Sequence, residues 1–270
     1  MRRIFSDEEL EYIKNNYKNK TYKQITKELN AFNIIEKTEK QVRDKAATMG
    51  LSKTIHKYNR SYFKNVDTRE KAYWLGFIYA DGYVVKRKHS DGRSSSELGI
   101  ELNSVDKEHL YRFERCIKGS GNISTRMSRD RDISGYFVRG GVEMTLIRLF
   151  SSAMVNDLIR HNVVPNKTYR PEFPKVEKKF FYDFLRGYFD GDGCACRSYK
   201  GLALNLSCSN IDFLIYLSNQ LKNDGIDTSI YQRSEYLYNL YFIGDKHKVL
   251  NKLYSNSNLY LKRKYDIAYG

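Results

Sequence analysis

One short phrase occurs twice in this chain and constrains its fold more than any other feature. The first copy is Tyr73-Trp74-Leu75-Gly76-Phe77-Ile78-Tyr79-Ala80-Asp81-Gly82, and the second is Phe184-Leu185-Arg186-Gly187-Tyr188-Phe189-Asp190-Gly191-Asp192-Gly193. Each reads as an apolar helix with a glycine in its middle, a small residue near its end and Asp-Gly closing it. An acid at the C-terminal tip of a buried helix faces the negative end of the helix dipole. Something must compensate, and a bound cation is the simplest candidate.

The duplication extends past these helices. The two tip aspartates lie 192 − 81 = 111 residues apart, and Leu98-Gly-Ile-Glu-Leu102 matches Leu202-Ala-Leu-Asn-Leu206 at 202 − 98 = 104. Both segments alternate as strands do, and each runs into a polar turn and an apolar helix, at about 106–117 and 211–221. A third strand pair is expected at Tyr136-Phe-Val-Arg139 against Leu240-Tyr-Phe-Ile243, leading to Gly140 and Gly244, with helices ending near Leu149-Phe150 and Leu253-Tyr254. Each half then reads αββαββα, an α+β fold in tandem over residues 68–175 and 176–270.

Ahead of the repeat, Ser6 with Glu9, Thr21 with Gln24 and Thr38 with Gln41 all fit the S/T-x-x-E/Q capping box. Leu10, Ile13 and Tyr17, then Ile25 and Leu29, then Val42, Ala46 and Met49 follow helical spacing, and Gly50 stands where a third helix would stop. Residues 1–52 therefore read as a small all-α trihelical domain of helix-turn-helix type. Its third helix exposes Lys40, Gln41, Arg43 and Lys45, types that reach phosphates and base edges. Residues 53–67 show no periodicity and read as a basic linker, or as an ordered arm packed on the next domain.

Charge points to the partner. With 47 Lys+Arg against 32 Asp+Glu the net charge is +15, and 23 Tyr and 14 Phe accompany it, a balance suited to nucleic acid. Arg126, Arg129, Arg131 and Arg139 in the first half, and Arg197, Lys200 and Arg233 in the second, fall on predicted strands and their tips, as a sheet laid in a DNA groove would need. Edge strands also carry cations to block aggregation, but there are more arginines here than that requires. Cys116, Cys194, Cys196 and Cys208 have no CxxC spacing, so neither zinc nor a disulfide framework is expected. No apolar run nears the roughly 20 residues that span a bilayer, and the N-terminus lacks the apolar core of a signal peptide. The expected location is intracellular, in the cytoplasm.

The two motifs resemble those of monomeric LAGLIDADG homing endonucleases, over about residues 68–270, and the N-terminal pattern resembles the Myb-like helix-turn-helix modules of phage and mobile-element nucleases. The resemblance implies that the motif helices pack together at a pseudo-twofold axis, with Gly76, Ala80, Gly187 and Gly191 allowing close approach. It implies that Asp81 and Asp192 meet at the helix ends and bind Mg²⁺, with Mn²⁺ or Ca²⁺ as substitutes and Ca²⁺ supporting binding without cleavage. A lysine late in each half is also implied, with Lys167 and Lys262 as candidates. Lys264 fits as well as Lys262.

The resemblance implies a single chain cutting both strands of double-stranded DNA at a long asymmetric target. A non-cleaving binder on the same fold, such as a maturase acting on intron RNA or a transcription regulator, is the competing reading. Retention of both tip acids favours the enzyme. The chain departs from the family pattern at Tyr79, opposite Asp190, and at Leu75 and Arg186, which replace a small residue. A buried Arg186 would need a carboxylate or carbonyl partner. An aspartic-protease dyad would sit in Asp-Thr/Ser-Gly loops, which these motifs are not.

Overall fold

The computed structural model describes residues 5–17, 20–32, 36–51, 58–90, 92–133, 136–167, 171–199 and 201–269. The chain divides into two compact units, Met1–His56 and Lys57–Gly270.

The first unit is built from α1 (Asp7–Asn16), α2 (Tyr22–Phe32) and α3 (Glu39–Thr48). All three capping boxes form. Ser6 N–H donates to Glu9 Oε2 at 2.7 Å, Thr21 N–H to Gln24 Oε1 at 2.8 Å and Thr38 N–H to Gln41 Oε1 at 2.8 Å, each answered by the reciprocal bond. Each cap stabilises its helix by about 1 kcal/mol, which matters in a unit this small. Gly50 takes a φ of +71°, and the N–H groups of Gly50 and Leu51 close back onto Ala47 O and Ala46 O. Phe5, Ile13, Ile25, Leu29, Val42 and Ala46 form the core.

The second unit holds two halves. Half one comprises α4 (Arg69–Asp81), β1 (Gly82–Lys88), β2 (Ser94–Asn103), α5 (Lys107–Cys116), β3 (Ile123–Met127), β4 (Arg131–Ile133), β5 (Tyr136–Val138), β6 (Glu143–Phe150) and α6 (Ser152–Arg160). Half two comprises α7 (Phe181–Asp192), β7 (Gly193–Ser198), β8 (Gly201–Cys208), α8 (Ile211–Asn223), β9 (Thr228–Ser234), β10 (Leu237–Phe242) and α9 (Lys246–Tyr254), followed by α10 (Lys262–Tyr269). Each half contributes one four-stranded antiparallel sheet, ordered β1-β2-β6-β3 and β7-β8-β10-β9. Alternation sends Leu98, Ile100, Ile147 and Leu149, and in half two Leu204, Leu206, Leu240 and Phe242, into one apolar core shared by both halves.

Pairing corrects the third strand match. Leu240 of β10 lies opposite Leu206 of β8, and its structural counterpart is Ile147 of β6, opposite Ile100 of β2. Tyr136–Val138 instead belongs to an extra two-stranded hairpin, β4–β5, inserted between β3 and β6. Half two joins β9 to β10 through Glu235 and Tyr236 alone. The first strand match is shifted as well, since Gly82 lies opposite Ile100 and Gly193 opposite Leu206, an offset of 206 − 100 = 106 rather than 104. Gly140 and Gly244 are turn glycines, which carry no packing information. Leu149-Phe150 likewise ends strand β6, and the helix α6 follows it. From Tyr58 onward the segment read as linker is ordered: Tyr62 and Phe63 are buried, and Tyr62 Oη donates to Glu70 Oε1 at 2.6 Å.

Candidate active site at the helix seam

The motif helices α4 and α7 meet with almost no side chain between them. A Cβ added at Gly76 would stand 2.1 Å from the Phe184 carbonyl oxygen, and one at Gly187 would stand 1.9 Å from that of Tyr73. Nearer the tips, a Cβ at Gly191 would lie 2.3 Å from the Ala80 Cβ. Both helices therefore need a residue without a side chain at the crossing, and the small pair Ala80 and Gly191 lets the C-terminal ends converge.

This convergence brings Asp81 and Asp192 together. The Asp81 carboxyl carbon is 3.5 Å from where a Gly191 Cβ would be, one residue before Asp192. Both residues keep an exposed edge. Burial nevertheless pushes Asp192 up to about 6, with the neighbouring Asp81 charge as the second cause. Burial also raises Asp81, against the opposing pull of Lys264 and Lys167. Two carboxylates so placed resist ionising together unless a cation joins them.

A lysine clasps each tip. Lys167 Nζ donates to Ile78 O at 2.9 Å and Ala80 O at 2.8 Å, and also to Gly82 O. Lys264 Nζ donates to Phe189 O at 2.9 Å and to Gly191 O. These carbonyls lie in the last turn of each helix or just past it, where Ile78 O and Phe189 O already accept the Gly82 and Gly193 N–H groups. Each ammonium therefore adds a charged donor there and offsets the helix's negative end. Burial lowers Lys167 to about 8 and lowers Lys264 as well, while the aspartates hold both lysines up. Lys264, not Lys262, occupies this position. Lys262 and Lys264 lie on different faces of α10, so Lys262 projects outward and donates to Asp266 Oδ2 at 2.7 Å.

Behind the tips the two halves differ. Asp190 is fully buried, yet it accepts from Tyr73 Oη, Tyr254 Oη and the Leu261 N–H, each at 2.7 Å. Burial outweighs those bonds and pushes it up to about 6. Tyr73 Oη also lies 2.9 Å from His109 Nε2, and since the tyrosine proton goes to Asp190, the imidazole donates. Arg186 finds both kinds of partner its burial demands: Asp183 Oδ1 at 2.8 Å, with Leu253 O at 2.8 Å and Leu259 O at 2.9 Å. The mirrored positions hold Tyr79, Phe184 and Phe213, which pack edge to face. Sequence reasoning missed Tyr73, His109 and Tyr254. The signal was Asp190 itself, since a carboxylate inside an apolar run must be hydrogen-bonded.

The remaining basic positions separate by strand face. Arg126 projects on the face of sheet one away from the helices and pairs with Glu101 at 2.6 Å. With Arg129 and Arg139 it lines a cleft of 450 Å³ at the base of the extra hairpin. Arg233 is exposed on β9. Arg197 turns the other way, having the parity of Gly193 and Ala195, and donates to Ile267 O and Ala268 O at 2.9 Å, so it is spent on the end of α10. In the first unit Lys40 and Arg43 are exposed on α3 and Lys45 is half-buried, while the Gln41 side chain is engaged in its capping box. The Arg131 side chain and Lys200 lie outside the described residues.

With this geometry in place, residues 182–260 match the sequence profile of a family described as LAGLIDADG-like domain. No curated protein matches the chain. Among solved structures, mesophilic variants of the homing endonuclease I-DmoI align with 74% of this chain and 98% of their own, at 18% identity and a TM-score of 0.49. A mutant of I-SmaMI aligns with 73% of this chain and 87% of its own, at 12% identity and a TM-score of 0.48. The LAGLIDADG meganuclease I-AabMI, bound to uncleaved DNA, covers 72% of this chain and 86% of its own at 14% identity and a TM-score of 0.43. The family match falls within half two. Half one repeats its plan of motif helix, four-stranded sheet and packing helices.

Proposed function

We propose that this protein is a site-specific double-strand DNA endonuclease of the homing type, hydrolysing phosphodiesters with a divalent metal at a long asymmetric target. The observation that carries the reading is the pairing of Asp81 with Asp192 at two converging helix tips, each tip clasped by a lysine. The donor set fits a hard cation. Both groups offer carboxylate oxygen, and burial and mutual repulsion leave them needing positive charge. Mg²⁺ keeps waters and takes substrate phosphate oxygens, so a pair of carboxylates is a sufficient protein contribution to such a site. When bound, such a metal activates water and neutralises charge developing on the phosphate.

The chain's own residues supply the rest. Asp81 and Asp192 would hold the metal, and Lys167 and Lys264 keep positive charge at each tip while fixing the backbone there. Arg126, Arg129, Arg139 and Arg233 track the duplex, and Lys40, Arg43 and Lys45 of the first unit lengthen the footprint. The domain plan that goes with this reading is a trihelical DNA-binding module followed by two catalytic halves in a monomer. No described helix is long and apolar enough to cross a membrane.

Selection of cleaved sites from a random duplex library with Mg²⁺ tests the reading. The expected result is one long target cut on both strands, with Asp81→Asn and Asp192→Asn proteins binding that target uncut. Normal cutting by either variant would overturn the assignment. Binding without cutting by the parent protein would move it to the non-cleaving class.

A further inference from the structure

The residue two places before each tip aspartate is Tyr79 in half one and Asp190 in half two. Each lies inside the clasp of its own lysine. Lys167 Nζ bonds the carbonyls of Ile78 and Ala80, which flank Tyr79, and stands 5.8 Å from the centre of the Tyr79 ring. Lys264 Nζ bonds the carbonyls of Phe189 and Gly191, which flank Asp190. Asp190 Oδ2 accepts the Leu261 N–H at 2.7 Å, and the Leu261 carbonyl in turn accepts the Lys264 N–H at 3.1 Å in the first turn of α10. The connections form a closed ring: Asp190, Leu261, Lys264, and back to the carbonyls on either side of Asp190.

We propose that this position is a lysine-placing site in both halves, and that Asp190 is the positioning residue that seats α10 and so sets Lys264 at the α7 tip. The inference rests on the reading of Lys264 as part of the reaction centre. The fold itself does not require an acid here, since Tyr79 fills the mirrored position with an aromatic ring. A buried carboxylate is costly unless bonded, and what this one obtains that a tyrosine would not is the fixed Leu261 N–H. Its other two acceptor bonds come from Tyr73 of half one and Tyr254 of α9, so the anchor is itself held by both halves. Lys167 Nζ stands over the Tyr79 ring and Lys264 Nζ over the Phe189 ring, and on the Lys264 side the Leu261 N–H bond to Asp190 adds an anchored backbone. The two helix tips therefore carry lysines held in different ways.

Hydrogen exchange and strand-resolved cleavage of the full chain test this together. Asp190→Ala is expected to speed amide exchange over Leu261–Tyr269 while α8 stays protected. It is also expected to slow the same strand that Lys264→Met slows, by about ten-fold to a hundred-fold, the usual cost of losing an outer-shell support. The other strand keeps its rate, and the double variant is no slower than Lys264→Met alone. Asp190→Asn keeps an oxygen for the Leu261 N–H and restores most of the lost rate. Equal slowing of both strands with α8 and α10 loosened alike would reduce Asp190 to a general stabiliser and overturn the inference. So would a wild-type rate on the Lys264-dependent strand in Asp190→Ala. Unchanged cutting by Lys264→Met would remove the lysine from the proposed function instead, and exchange at Leu261–Tyr269 would still decide whether Asp190 seats α10.

Discussion

Half one and half two share a backbone plan and differ in what they bury behind it. Against the seam, half two sets Asp190 and Arg186, and the fold answers them with Tyr73, His109, Tyr254, Asp183 and three backbone groups. Half one sets Tyr79 and Leu75 at those places, and the answering positions are Phe184 and Phe213. Polar groups enter this interior as complete sets or not at all, because an unpaired one in low dielectric is expensive. What stays common is what the tips need: a bare glycine at the crossing, an acid at the end and a lysine over the last carbonyls. The two halves have diverged in packing chemistry and agree in tip geometry.

That agreement is the easiest part to break. Asp81→Asn and Asp192→Asn should each lower the cleavage rate by about three orders of magnitude, near 4 kcal/mol of barrier, in strand-resolved assays with Mg²⁺. A normal rate in either variant would remove the paired acids from the chemistry and leave the tip agreement a matter of packing alone. The next largest effect is on one side only. Arg186→Met leaves Asp183 with just the partly exposed Arg69 and should cost about 3 kcal/mol, the low end for breaking a buried pair. The mirrored Leu75→Met should cost under about 1.5 kcal/mol, as volume-conserving swaps do. Equal losses in urea titrations would mean that the Arg186 set is not energetically distinct. At the crossing, symmetry returns. Gly76→Ala and Gly187→Ala each drive a Cβ into a carbonyl oxygen and should each cost about 1–3 kcal/mol by forcing the helices apart.

How much of this the sequence contained follows the same division. The motif helices, both tip acids, the crossing glycines and the capping boxes of the first unit were legible, because each is a local pattern with a physical meaning at fixed spacing. The extra hairpin was not. Its Gly140 fell at the same offset as other repeat landmarks, and only strand pairing reveals that β6 is the partner of β2. Arg197 was misplaced for a related reason: the side of a strand is a matter of parity with Gly193, whereas arginine content is blind to side. Lys264 against Lys262 turned on which face of α10 meets the α7 tip, and that depends on the anchor at Leu261. The polar set around Asp190 joins residues from α4, α5, α7, α9 and the start of α10, a convergence that no single stretch of chain records.

The subtlest way to sharpen the comparison is to give half one the residue half two already uses. His109 and Phe213 are each the third residue of their helix, α5 and α8, and each packs on a motif helix. Burial pushes His109 down to about 3, with the Arg112 charge adding to it, so it stays neutral in the folded protein where an unfolded chain would be protonated. The sign follows from that depression. The stability associated with a neutral His109 is fully present above the unfolded value near 6.5 and is lost as pH falls from there toward 3, at about 1.4 kcal/mol per pH unit. Asp190 and Asp192, raised to about 6, act in the opposite sense, gaining stability as pH falls toward the ordinary carboxylate range. Asp192 keeps its surroundings in His109→Phe and drops out of a difference between the two proteins. Asp190 is reached through Tyr73, and a weaker Tyr73 bond there would raise it further and add to the same divergence. Metal-free urea titrations from pH 7 to 4 should therefore show the wild-type protein losing ground to His109→Phe by about 1.4 kcal/mol per unit below 6.5. At neutral pH the variant should be the weaker one, because Tyr73 loses the imidazole donor that holds its proton toward Asp190. Parallel pH profiles would mean that His109 takes up its proton in place, and that the buried set on that side of the seam is open to water.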